Sequence, residues 1–139
     1  MKTPLYIDAG YNKLLQPPVY AGFVYGTQAT VIELHESFWD EDKFPVSSTE
    51  AEYYGLIYAL FWLHGQPPDD IMIYSDSQVL VRQVAGTYQC RVPRLEALLN
   101  FSDYLWFSLL KKGFLLELRH IPRERNIADS YIRKVRKGK

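Results

Sequence analysis

Residues 49–78 read TEAEYYGLIYALFWLHGQPPDDIMIYSDSQ, and the spacing of apolar residues changes character twice within them. From Thr49 onward, Tyr53, Leu56, Ile57, Leu60, Phe61 and Leu63 or His64 recur at helical spacing, until Gly65 and Pro67-Pro68 stop the run. Asp69 and Asp70 then lead into Ile71-Met72-Ile73-Tyr74, an unbroken apolar run that predicts a buried strand. Ser75-Asp76-Ser77 opens a second helix through Val84, which Gly86 ends. Helix, buried strand and helix in immediate succession predict a sheet covered by helices.

Toward the N-terminus, Leu5-Tyr6-Ile7, Val19 to Tyr25 and Ala29 to Leu34 read as strands rich in Val, Ile, Tyr and Phe, with Gly26-Thr27 as a hairpin signal. They predict a meander. Toward the C-terminus, Pro93 to Lys112 reads as a longer helix and Phe114 to Ile121 as a strand. The final helix, Ile127 to Val135, places Ile127, Ala128, Tyr131, Ile132 and Val135 on one face. The order βββαβααβα predicts an α/β fold: a five-stranded mixed sheet, an antiparallel meander plus parallel strands, flanked by helices. Polar ligands collect beyond the carboxyl ends of the strands in such sheets.

A chain of 139 residues and 16.2 kDa is sized for one domain, residues 1–139, and has no internal repeat. Its 47% apolar and 15% aromatic content argues against disorder. Cys90 is the only cysteine, which excludes an intramolecular disulfide and a cysteine-ligated zinc cage. MKTPLYIDAG reaches Asp8 before an apolar signal core can form, and Leu56 to Leu63 is far shorter than the ~20 residues of a membrane span, so a cytoplasmic location is expected. The net charge of zero conceals a division: residues 1–110 carry 6 Lys+Arg against 13 Asp+Glu, giving −7, and residues 111–139 carry 10 against 3, giving +7. The basic end, with Arg133, Lys134, Arg136, Lys137 and Lys139, suits a polyanion or is merely a solvated tail, while the acidic body suits a divalent metal.

Acidic residues stand at four element junctions: Asp8 after the first strand, Glu52 in the first turn of the long helix, Asp76 after the fourth strand and Asp129 in the first turn of the last helix. Each has a local explanation. Thr49-Glu50-Ala51-Glu52 matches a capping box, Asp76 can cap the helix that follows it, and Asn126 is a cap candidate ahead of an acid that the helix dipole favours. Together they offer a second reading. Carboxylates from several elements meeting at one sheet edge are what Mg²⁺ or Mn²⁺ requires, and two such ions support in-line phosphoryl displacement. The sequence has no Gly-rich phosphate loop ending in Lys-Ser or Lys-Thr, and His35, His64 and His120 lack zinc-motif spacing.

Several stretches then carry a family likeness: Tyr6-Ile7-Asp8; Ser48-Thr49-Glu50-Ala51-Glu52-Tyr53; Tyr74-Ser75-Asp76-Ser77-Gln78 through Gly86-Thr87-Tyr88 to Pro93-Arg94-Leu95; and His120-Ile121-Pro122-Arg123-Glu124-Arg125-Asn126-Ile127-Ala128-Asp129. At these residues the sequence resembles the type 1 ribonuclease H family, in its compact prokaryotic form lacking a basic protrusion. The resemblance implies a ribonuclease H-like fold over nearly the whole chain and metal-dependent endonucleolytic hydrolysis of the RNA strand of an RNA–DNA hybrid. It implies Asp8, Glu52, Asp76 and Asp129 as ligands of Mg²⁺ or Mn²⁺, two ions with substrate bound. Asp8 would bridge them, Glu52 and Asp76 completing one side and Asp129 the other. Glu52, Gln78, Ser48 and Thr49 would test for the 2′-hydroxyl, and Arg123 would contact phosphate. The partner implied is a hybrid duplex, with no membrane and no obligate protein partner, and a monomer is expected. A catalytically degenerate nucleic-acid binder and a related nuclease with another duplex substrate are the alternatives.

The chain departs from the family pattern in places. Asp8-Ala9-Gly10 replaces the familiar Asp-Gly, Leu14-Leu15-Gln16-Pro17-Pro18 replaces a Gly/Pro-rich turn, and Ser48 and Thr49 stand where many relatives carry asparagines. Only a short linker joins Arg82 to Arg94, so the C-terminal basic residues become the candidates for gripping the hybrid. His120 reads as a strand end with a structural role, and Tyr53, Trp62 and Trp106 read as core in preference to base-stacking platforms.

Overall fold

The strands lie where β-branched and aromatic residues concentrate: β1 (Thr3–Tyr11), β2 (Val19–Tyr25), β3 (Gln28–Leu34), β4 (Asp70–Ser75) and β5 (Leu115–His120). The helices are α1 (Ser48–Leu63), α2 (Gln78–Val84), α3 (Pro93–Lys111) and α4 (Ile127–Lys137), with a 3₁₀ turn at Arg123–Arg125 before the last. This computed structural model describes residues 2–12, 19–34, 47–86 and 92–137. Leu14 to Pro18, His35, Thr87-Tyr88, Cys90 and Lys139 lie outside the described residues.

The sheet order is β3-β2-β1-β4-β5, with β1 antiparallel to β2, β2 antiparallel to β3, and β4 parallel to both β1 and β5. Side chains alternate across it. Leu5, Ile7, Phe23, Ile71 and Ile73 face α1 and α3, forming the main core with Leu56, Leu60, Leu109 and Phe114. Val24 and the half-buried Tyr6 and Val31 face the other way, onto Ala128 and Ile132 of α4. The sheet is therefore sandwiched, and its central strand is covered on both faces. Tyr53 is fully buried, while Trp62 and Trp106 pack on the core, as the sequence predicts. Among the described residues no helix is long and apolar enough to cross a membrane.

The structure differs from the sequence reading at several points. Asp8 lies inside β1 instead of after it, because Ala9, Gly10 and Tyr11 stay paired with Ala21, Tyr20 and Val19. The capping box forms two residues earlier than Thr49-Glu52: Ser47 Oγ accepts from the Glu50 N–H and donates to Glu50 Oε2, each at 3.2 Å. Glu52 falls in the second turn and has no capping duty. Ser77 caps α2 in place of Asp76, accepting from the Leu80 N–H at 3.3 Å. Phe61, expected on the covered face of α1, is 67% exposed, because α1 turns that position outward from both the sheet and α3. On α4 only Ala128 and Ile132 of the expected apolar face are buried, while Ile127 and Val135 flank the contact in solvent.

Candidate active site

The ladder between β1 and β4 runs from Thr3↔Ile71 to Tyr6↔Tyr74 and stops there. Beyond it β1 keeps only its β2 partner, so a gap opens at the carboxyl end of β4. Asp8 and Asp76 each lie two residues past the last paired position and stand on either side of that gap. Glu52 arrives from α1. The approach is close at Gly55, where a Cβ would sit 3.4 Å from the Asp8 carbonyl oxygen, so helix and strand meet with room for little more than a methyl group. That contact is one turn from Glu52 and fixes its height over Asp8.

One oxygen from each of Asp8, Glu52 and Asp76 lies within 4.8 Å of the others. Burial and the Asp76 charge, with a smaller contribution from Asp129, push the Asp8 carboxyl up from 3.8 to about 7, partly opposed by the Ala9 N–H and Arg123. Burial and the charges of Asp8 and Asp76 likewise hold Glu52 well above its ordinary value. Glu52 Oε2 is buried without a hydrogen-bond partner. A buried, unpartnered oxygen on a carboxylate that clusters with two others is unfavourable on its own account, and a hard divalent cation is the group that removes the cost. The donor set therefore fits Mg²⁺ or Mn²⁺: all oxygen, negatively charged, drawn from three elements, and open to a cleft of about 470 Å³.

Ser48, Thr49 and Arg123 line this cleft with the three acids, and so do Tyr11, Tyr20 and Ser77. Gln78 stands apart, exposed at the start of α2 and outside the cleft lining. Asp129 is close enough for its charge to act on Asp8, but its Oδ2 pairs with the Arg133 guanidinium at 3.2 Å, outside the three-acid cluster. His120 ends β5, exposed and paired in register with Ser75, which agrees with its reading as a strand end.

Asn126 is the residue that sequence reasoning understated. It caps α4, its Oδ1 accepting from the Ala128 N–H at 3.1 Å. Its Nδ2 also donates to the Ile7 carbonyl at 2.9 Å and to Asp76 Oδ2 at 3.2 Å. The first of these bonds satisfies a β1 carbonyl left unpaired where the β1–β4 ladder ends, and the second orients a site carboxylate. Only the cap had a local signal in the sequence, since the other partners are 119 and 50 residues away.

An antiparallel three-strand meander joined to two parallel strands, with acids gathered where the first and fourth strands part, defines the ribonuclease H fold. Solved structures of type 1 ribonucleases H share this fold. The ribonuclease H1 of the halophilic archaeon Halobacterium salinarum is 23% identical, with a TM-score of 0.69 over 94% of this chain and 93% of that one. LC11 ribonuclease H1 in complex with an RNA/DNA hybrid is 23% identical, with a TM-score of 0.72 over 93% and 92%. An N-terminal ribonuclease H domain from Mycobacterium tuberculosis is 19% identical, with a TM-score of 0.64 over 96% and 99%. At these identities the likeness is one of fold. No family model and no curated protein matches the sequence.

Proposed function

We propose that the chain is a metal-dependent endonuclease that hydrolyses the RNA strand of RNA–DNA hybrids. The observation that carries this reading is the convergence of Asp8, Glu52 and Asp76 at the parting of β1 and β4, with Glu52 Oε2 left unpartnered. The fold it shares with a ribonuclease H1 captured on an RNA/DNA hybrid supports the choice of substrate.

Asp8, Glu52 and Asp76 would hold the divalent ion, with Asp129 contributing after leaving Arg133. Bound in such a site, a divalent ion neutralises charge on the scissile phosphate and acidifies water for in-line attack. The chain's own residues supply the rest. Asn126 keeps Asp76 oriented, and Arg123, which lines the cleft, would offer its guanidinium to a non-bridging phosphate oxygen. Ser48 and Thr49 bring hydroxyls to the α1 side of the cleft, where a 2′-hydroxyl can be tested across the minor groove.

The test uses one labelled duplex sequence made as RNA–DNA, RNA–RNA and DNA–DNA, incubated with Mg²⁺, Mn²⁺ or EDTA, beside Asp76→Asn. The expected result is metal-dependent cutting confined to the hybrid's RNA strand and abolished in the variant. Binding of the hybrid without cutting under every metal condition would overturn the enzymatic reading in favour of a degenerate binder.

A further inference from the structure

The charge division of the sequence has a location in the fold. The acidic cleft sits in a body whose residues 1–110 sum to −7, where a phosphate polymer is repelled. Arg123 is the sole cation lining the cleft among the described residues. Arg94, near the start of α1, is held at 2.7 Å by the buried Glu50 carboxylate. Lys111 and Lys112 close α3 just before β5 begins, at the opposite end of that parallel strand from the cleft. Other cations of the basic segment lead away from the cleft end: Arg119, Arg123 and Arg125 precede α4, which carries the exposed Arg133 and Lys134.

α4 is anchored to the cleft by Asn126 and pressed to the sheet by Ile132, which fills the space over Gly22, where a Cβ would come within 3.0 Å of it. Its other side is solvent, and Arg133 and Lys134 are ordered there by weak contacts. Arg133, 62% exposed, reaches Asp129, and Lys134 Nζ lies 5.8 Å over the Tyr131 ring. Exposed contacts of this kind are worth about 0–1 kcal/mol, so a phosphate can replace them. With 11 residues, α4 extends about 16 Å from the cleft.

We propose that the solvent face of α4 is a phosphate-contacting surface for the hybrid duplex where it leaves the cleft, the Arg123–Arg125 turn forming its near end. The inference rests on the proposed hybrid substrate and adds where the duplex is held. It assigns to α4 the sequence-independent share of binding, which compensates for the repulsion of an acidic site.

The test neutralises two exposed cations along the face, leaving the cleft residues untouched, in the double variant Arg125→Gln, Lys134→Gln. Hybrid affinity is read by fluorescence anisotropy across a salt series in the Asp76→Asn background, and kcat and KM are read in the active protein. The expected result is weaker binding, with the slope of log affinity against log salt smaller by about 0.7–0.9 for each phosphate that the variant no longer neutralises. KM rises while kcat holds. Hybrids shortened on one or the other side of the cleavage position should respond unequally, the variant's defect vanishing for the one that no longer reaches α4. Unchanged affinity and salt slope on a long hybrid would overturn the proposal and make the face a solvated one. If the parent protein binds hybrid but cuts none, the enzymatic reading fails by itself, and weaker binding by the double variant still supports the surface.

Discussion

Asp8 concentrates the electrostatics of the site. Its carboxyl, pushed from 3.8 up to about 7 by burial and by Asp76, keeps its proton in the folded chain across a range where the unfolded chain has released it. Over that window the folded state binds more protons than the unfolded one, so stability of the metal-free protein falls as pH rises. Asp8→Asn is therefore expected to melt several degrees above the parent at pH 8 in EDTA, with the gap closing toward pH 4. A variant no more stable at pH 8 would show that the three acids do not repel as described. Asn126 makes a second prediction at the same scale. Asn126→Ala leaves the buried Ile7 carbonyl unpaired and frees Asp76, at an expected cost of about 1–3 kcal/mol in denaturant unfolding. It should also weaken Mn²⁺ binding in calorimetry, which removal of a cap alone would not do.

At the scale of elements, the sequence shows most of what is there, because strands and helices here carry clean periods. The Thr49–Leu63 helix and the Ile71–Tyr74 strand match α1 and β4 within two residues at each end. Three of the four acids singled out in the sequence, Asp8, Glu52 and Asp76, stand together while Asp129 pairs with Arg133, and the caps misled: Ser47 and Ser77 do the work that Glu52 and Asp76 were available to do. A capping signal is local, and Ser47 with Glu50 and Thr49 with Glu52 offer alternative frames that only packing resolves. What could not be read was the end of the β1–β4 ladder, a long-range property of register, and with it the second role of Asn126. The approach of α1 to β1 at Gly55 yields a further expectation. Gly55→Ala fits the available space and should be neutral or stabilising by up to about 1 kcal/mol through helix propensity. Gly55→Val forces helix and strand apart, costing about 1–3 kcal/mol. Its Mn²⁺ affinity should fall with its stability, since Glu52 moves with the helix; calorimetry and urea unfolding on the two variants check both statements.

For the whole molecule, the acid cluster and the basic segment are complementary halves of one arrangement. Three carboxylates held together by a fold that gains nothing from them without a cation make the protein's stability depend on its ion. Millimolar Mg²⁺ or Mn²⁺ should raise the melting temperature of the parent at pH 8, and EDTA should reverse the change, while Asp8→Asn should respond weakly. An equal shift in the variant would place the ion elsewhere. Asn126 also sets a condition on time. A ribosome delivers Asp8, Glu52 and Asp76 long before it delivers residue 126, and the sheet can begin to assemble as they emerge. Until Asn126 and α4 arrive, the Ile7 carbonyl lacks its partner, Asp76 swings without its tether and the far face of the central strand is bare. A chain still being translated is thus expected to be silent toward RNA–DNA hybrids, and a truncated product that stops before residue 126 should stay silent for good.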